Sequence, residues 1–102
     1  MAGKMNIDSI PEAFSVTLRL KIITALVSSA RTFNELCDIT QATKGNLSVQ
    51  LTRLETWGYL TSEKVIEKKK TKSTYTITPF GLQQFEEYVD LLQTALNDSL
   101  FG

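Results

Sequence analysis

The sequence predicts a mainly α domain with one small β-hairpin, an α+β chain in the order helix, helix, helix, strand, strand, helix. Three observations carry that expectation. Apolar residues recur three and four apart from Leu18 to Val27 and again from Leu47 to Leu54, the spacing of one buried helix face. Around Thr74 to Ile77 the period falls to two, and β-branched and aromatic residues gather. After Pro79 the helical spacing returns and holds as far as Leu96.

Each element has its own local reason. In the N-terminal segment, Ile7, Ile10 and Phe14 are expected to tack the chain onto the body, with Pro11 starting a helical turn. "SVTLRLKIITALVSS" follows, where Leu18, Ile22 and Leu26 lie four apart with Ile23 and Val27 beside them. That is a first helix with one wide apolar face. In "RTFNELCDIT", Thr32 and Glu35 form a capping-box pattern, in which hydroxyl and carboxylate satisfy the free amides that open a helix. Phe33, Leu36, Cys37 and Ile39 supply the inward side of this second helix, and "TQAT" reads as a turn.

"TKGNLSVQLTRLETWGYLT" holds the third helix. Leu47, Leu51 and Leu54 make its buried stripe, which Trp57 and Leu60 continue, and Gly58 suits the left-handed residue that ends it. Gly45, Val49, Thr52, Arg53 and Thr56 fall on the opposite side, with Lys44, Asn46 and Ser48 flanking the first turns. Val65, Ile66 and Thr74 to Ile77 mark two antiparallel strands joined by a loop around "KKKTKS". Thr78 as N-cap and Pro79 at the first position start a last helix. Along it Leu82, Phe85, Val89, Leu92 and Leu96 form a heptad-like seam that Tyr88, Leu91 and Ala95 widen.

Composition bounds the function. The 102 residues fit one domain, 1–102, and at 42% hydrophobic and 22% charged it is expected to be soluble and globular. No apolar run reaches the length that crosses a membrane, and "MAGKMNIDSIPEAF" is too polar for a secretory signal, so the expected location is cytoplasmic. One Cys and no His leave no intrachain disulfide and no zinc ligand set, so neither metal nor cofactor is expected. Cys37 reads as a small core residue. Without His, a Gly-rich phosphate loop or a nucleophile elbow, the chain is not read as an enzyme. Formal net charge is zero, yet residues 1–72 carry all 11 basic residues against 7 acidic ones (+4), and residues 73–102 carry the other 4 acids and no base (−4). A basic body and an acidic tail make a local field that the total conceals.

The element order and four stretches together resemble the MarR/ArsR-like winged helix-turn-helix transcriptional regulators, the small single-domain type. "LRLKIITALV" (Leu18 to Val27) is similar to that family's first helix and "TFNELCDIT" to its second. "KGNLSVQLTRLETWGYL" (Lys44 to Leu60) resembles its recognition helix, and "YTITPFG" (Tyr75 to Gly81) its strand-to-helix junction. The likeness runs over residues 14–97. It implies an N-terminal segment at 1–14, a winged helix body at 15–78 and a dimerisation helix at 79–102. Gln50 stands where ArsR-like chains often carry His, and the paired cysteines of the metal sensors are absent, so no metal effector is expected.

On this reading the polar opening of helix three acquires a purpose. A helix entering the major groove sets its first turns against base edges and phosphates, where short polar side chains and free amides serve best. Thr43, Lys44, Asn46 and Ser48 suit that position, and Gly45 permits close approach. Val49 can meet a thymine methyl, Gln50 and Arg53 can reach base edges or phosphate, and Thr52 lies on the same side. Lys68, Lys69, Lys70, Thr71, Lys72 and Ser73 become the wing, which grips phosphates or the minor groove and adds affinity rather than sequence preference. Arg19, Lys21 and Arg31 are weaker candidates for backbone contact. The last helix, with Ile10 and Phe14, is expected to form a homodimer interface through Leu82, Phe85, Val89, Leu92 and Leu96, which predicts an inverted-repeat operator on double-stranded DNA. Glu86, Glu87 and Asp90 keep that end away from DNA. No residue set marks a small-molecule effector site. The alternative is a winged-helix module that docks a protein partner within a larger assembly.

Overall fold

The computed structural model describes residues 10–101, so Ile7 lies outside the described residues. A 3-10 turn, Glu12–Phe14, precedes α1 (Thr17–Ser28), β1 (Arg31–Thr32), α2 (Phe33–Thr40), α3 (Lys44–Thr56), β2 (Leu60–Glu67), β3 (Lys70–Ile77) and α4 (Pro79–Phe101). This is the expected order with one short strand added. The sheet runs β1-β3-β2, all antiparallel, with Leu60 opposite Ile77 and Glu67 opposite Lys70 in the hairpin. β1 pairs Arg31 with Tyr75 and Thr32 with Thr74. Two residues show no periodicity, which is why this strand is invisible in the sequence.

The core lies where the three helices meet the base of the hairpin. Ile22, Ile23 and Leu26 from α1, Leu36 from α2, Leu47, Leu51 and Leu54 from α3, and Leu60 from β2 are all buried. Removing one of these to Ala opens a cavity that costs roughly 2–5 kcal/mol. Phe14 joins them. Its ring stacks on Tyr88 at 4.8 Å between centroids and meets Tyr59 edge-on at 5.7 Å. Burial within its own chain removes Phe14 from the expected dimer face.

The helix ends follow their sequence signals closely. At α2 the Glu35 amide donates to Thr32 Oγ1 at 3.1 Å and the Thr32 amide to Glu35 Oε1 at 2.8 Å, the complete capping box. At the end of α3, Gly58 takes φ 85°. Tyr59 N–H then donates to Leu54 O (2.9 Å) and Gly58 N–H to Glu55 O (3.0 Å), a Schellman closure. The junction "TPFG" packs against that closure. Thr78 Oγ1 accepts from Gly81 N–H at 2.9 Å to cap α4, and donates to Gly58 O at 2.6 Å. Gly81 is held to glycine by sterics, because a Cβ there would run into the Tyr59 carbonyl.

Four expectations change in detail. The loop expected around Lys68 to Ser73 is only a two-residue turn. Lys68 (φ 51°) and Lys69 (φ 63°) form it in the left-handed region, and Lys70 to Ser73 belong to β3. Ile39 is exposed because Phe33, Leu36, Cys37 and Thr40 already define the inward arc of α2, and Ile39 lies about 110° around from its centre. Val27 and Trp57 are also more exposed than a continuous stripe requires. Cys37 is half-buried against the core rather than fully inside.

Candidate nucleic-acid interface

α3 presents a solvent face because its buried stripe uses only Leu47, Leu51 and Leu54. Thr43, Lys44, Gly45, Asn46, Ser48, Val49, Thr52 and Arg53 are exposed, and Gln50 is half-buried. Val49, at 48% exposure, is an apolar side chain left in water. A Cβ on Gly45 would meet nothing within 4 Å, so no internal packing demands glycine there. Thr43 Oγ1 accepts from Asn46 N–H at 3.2 Å and caps the helix, and no acidic residue sits in the first turn. No carboxylate within that turn therefore offsets the positive end of the helix dipole. Thr52 and Thr56 turn their hydroxyls back to the carbonyls of Ser48 (3.0 Å) and Thr52 (2.9 Å). That occupies their hydroxyl donors.

The hairpin is the second basic element. Lys68, Lys69, Lys70, Thr71 and Lys72 are exposed, and Ser73 is half-buried. Among the described residues the ion pairs are Lys72 with Glu67 (3.6 Å) and Arg19 with Glu12 (4.0 Å). Lys44, Arg53, Lys68, Lys69 and Lys70 thus carry charges with no acidic partner among the described residues. Ser62 Oγ donates to the Glu55 carboxylate at 3.0 Å and ties the base of β2 to α3. A shallow polar groove lined by Thr32, Phe33, Asn34, Thr71, Lys72 and Ser73 separates the start of α2 from β3. The sequence marks Thr32 as a helix cap but not as a neighbour of the wing, and it gives Asn34 no local signal at all.

Arg19 is the main revision among the basic residues. It is 3% exposed and reaches no solvent-side phosphate. Its Nε donates to Gln50 Oε1 at 2.8 Å, its Nη1 donates to Glu12 O at 2.9 Å, and its guanidinium lies 4.9 Å from the Trp57 ring centroid. A signal was present in the sequence. Arg19, Ile22, Ile23 and Leu26 share one face at i, i+3, i+4 and i+7, so the arginine points the same way as the core. Arg31 is half-buried and spends donors on Ala25 O (3.3 Å) and Ser28 Oγ (3.2 Å), whereas Lys21 is exposed.

Of the residues expected at a dimer face, Leu82, Leu92 and Leu96 are exposed, and Ile10, Phe85 and Val89 are half-buried. Phe85 and Tyr88 pack on the core, and among the described residues none of α4 beyond Tyr88 belongs to that cluster. Among the described residues no helix is long and apolar enough to cross a membrane.

Three helices, a sheet-borne hairpin and a polar, exposed third helix define the winged helix-turn-helix class. The chain belongs to the winged helix DNA-binding domain family, whose profile matches residues 18–96. Among solved structures it is similar to a transcriptional regulator homologue from Pyrococcus horikoshii OT3, at 27% identity and a TM-score of 0.73 over 83% of this chain and 84% of that one. It is also similar to a protein assigned to the MarR family from Enterococcus faecalis V583, at 20% identity and a TM-score of 0.73 over 76% of that chain and 82% of this one. Bacillus subtilis PadR, solved in complex with operator DNA, shares the fold at 19% identity and a TM-score of 0.67. That likeness covers 72% of this chain and 47% of PadR. No curated protein matches the sequence.

Proposed function

We propose that this chain is a homodimeric, sequence-specific, double-stranded DNA-binding transcriptional repressor, working in the cytoplasm on an inverted-repeat operator. The first turns of α3 enter the major groove, and the lysine turn between β2 and β3 lies on the backbone or minor groove. The observation that carries this reading is the free basic charge on both elements: Lys44 and Arg53 on α3, and Lys68 to Lys70 at the turn, with no carboxylate spent on them among the described residues. That PadR, a fold neighbour, was solved in complex with operator DNA supports DNA as the partner. Residues 15–78 form the DNA-reading body and residues 79–102 the dimerisation helix. A dimer seated on its operator blocks whatever shares that DNA, so repression is the simplest output.

Selection of bound sites from a random duplex library is the test. The expected product is a symmetric site whose half-sites lie about one helical turn apart. Arg53→Ala should flatten the preference at one base pair. Lys69→Ala should weaken binding to all sequences alike and reduce the salt dependence by about one unit of slope. Recovery of no sequence, with no affinity for duplex at low salt, would favour a module that docks protein instead.

A further inference from the structure

Arg19 is a buried cation with no route to DNA, yet it touches a residue of the reading face. A guanidinium has donors and no acceptor, so the Gln50 atom facing it at 2.8 Å must be the carbonyl oxygen. That fixes the amide: Oε1 is held inward and Nε2 is the end left for other partners. Nε2 lies 3.5 Å from Asn46 Oδ1, a long contact one turn nearer the helix start. It favours the Asn46 rotamer whose oxygen faces Gln50 and whose Nδ2 is free. Trp57 over the guanidinium and the Glu12 carbonyl hold Arg19 itself in place, so the order of the relay runs from the buried side outward.

We infer that Arg19 is a positioning residue that sets the hydrogen-bond polarity of α3, making Gln50 and Asn46 donors towards the bases. This rests on the DNA-binding reading above and adds to it which base is read. A free Gln or Asn pairs with adenine by accepting from N6 and donating to N7 at once, which requires an outward oxygen. With both oxygens turned inward, adenine offers only half of that contact. Guanine presents two acceptors, N7 and O6, and suits an outward amide nitrogen; Arg53 and Lys44 on the same helix are donors as well. The operator half-site is therefore expected to carry guanine where Gln50 and Asn46 meet the major groove.

The experiment compares sites selected from a random duplex library by the intact chain, Arg19→Met and Gln50→Glu. The intact chain should prefer guanine to adenine by roughly tenfold at one position of each half-site. Arg19→Met keeps the aliphatic stem, frees the Gln50 amide to turn, and should bring adenine up to parity at that position while the salt slope stays unchanged. Gln50→Glu keeps an acceptor for Arg19, so the fold is retained if Arg19→Met proves unstable. It removes the outward donor and should abolish the guanine preference in favour of cytosine. Side-chain amide NMR of Gln50 gives a readout independent of DNA: its Nε2 hydrogens should shift in Arg19→Met relative to the intact chain. An adenine preference in the intact chain, an unchanged guanine preference in folded Arg19→Met, or an unchanged one in Gln50→Glu would overturn the relay. Failure of the intact chain to bind any duplex would instead remove the DNA reading, and the amide shift would still decide whether Arg19 orients Gln50.

Discussion

Thr78, Gly81 and Gly58 show how single residues join elements. One hydroxyl caps α4 and bonds the carbonyl of the glycine that closes α3, while Gly81 lets the two backbones approach. The caps were legible beforehand, since each depends on local chemistry three residues wide. The tertiary bond from Thr78 to Gly58, twenty residues apart, was not, because no local pattern encodes it. The place of Arg19 is hard to read from the sequence for a related reason. Charge alone suggests a surface, and only its spacing with Ile22 and Leu26 says otherwise. Glu35 yields a prediction at this scale. The Thr32 backbone amide, chiefly, holds its carboxyl below the ordinary value of 4.5. The unfolded chain therefore binds that proton more readily. The carboxylate's contribution to stability is complete above pH 4.5 and is lost as pH falls through the lowered folded value. In thermal unfolding, Glu35→Gln should lower Tm at neutral pH, and the gap from the intact chain should close below that range. A gap independent of pH would mean the box holds through shape rather than charge.

Among elements, the hairpin departs most from expectation. A two-residue turn with both residues left-handed is normally built from Asn and Gly, and lysine there carries strain of order 1 kcal/mol per residue. The sequence shows a lysine run and so suggests a longer loop. The strand pairing that continues to Glu67 and Lys70 is set by register with β2, which composition does not reveal. On the proposed function, charge at the tip is retained at the expense of turn geometry. Lys68→Asn with Lys69→Gly should therefore raise Tm by a few degrees and weaken duplex binding at the same time, measured by calorimetry and fluorescence anisotropy. Equal affinity after that exchange would remove the wing from the interface. Helices are more legible in the sequence than strands because their spacing is long enough to count. α1, α3 and α4 each repeat their signal over three or more turns, while β1 has two residues.

For the molecule as a whole, α4 poses the question of what it packs against. Its first half closes the core through Phe85 and Tyr88, and the stripe beyond carries Leu92 at 45% and Leu96 at 58% exposure. The proposed dimer covers that stripe. Leu92→Glu with Leu96→Glu should give a monomer in analytical ultracentrifugation, with affinity for an isolated half-site little changed and affinity for the full operator reduced by at least tenfold. A dimer that survives both charges would place the interface elsewhere. The polar side of α3 was legible almost completely in the sequence, as the complement of three buried leucines; the fixed state of Gln50 within it was not, because it depends on a contact with α1. On the proposed function, α3 and the β2–β3 turn act together on duplex DNA. The most direct measurement is the slope of log affinity against log salt concentration on mixed-sequence duplex, for the intact chain and for Lys68→Ala/Lys69→Ala/Lys70→Ala. The intact chain should bind with an affinity that falls steeply as salt rises, and the triple variant should lose about two to three units of that slope. Identical slopes, or no binding at low salt, would contradict it.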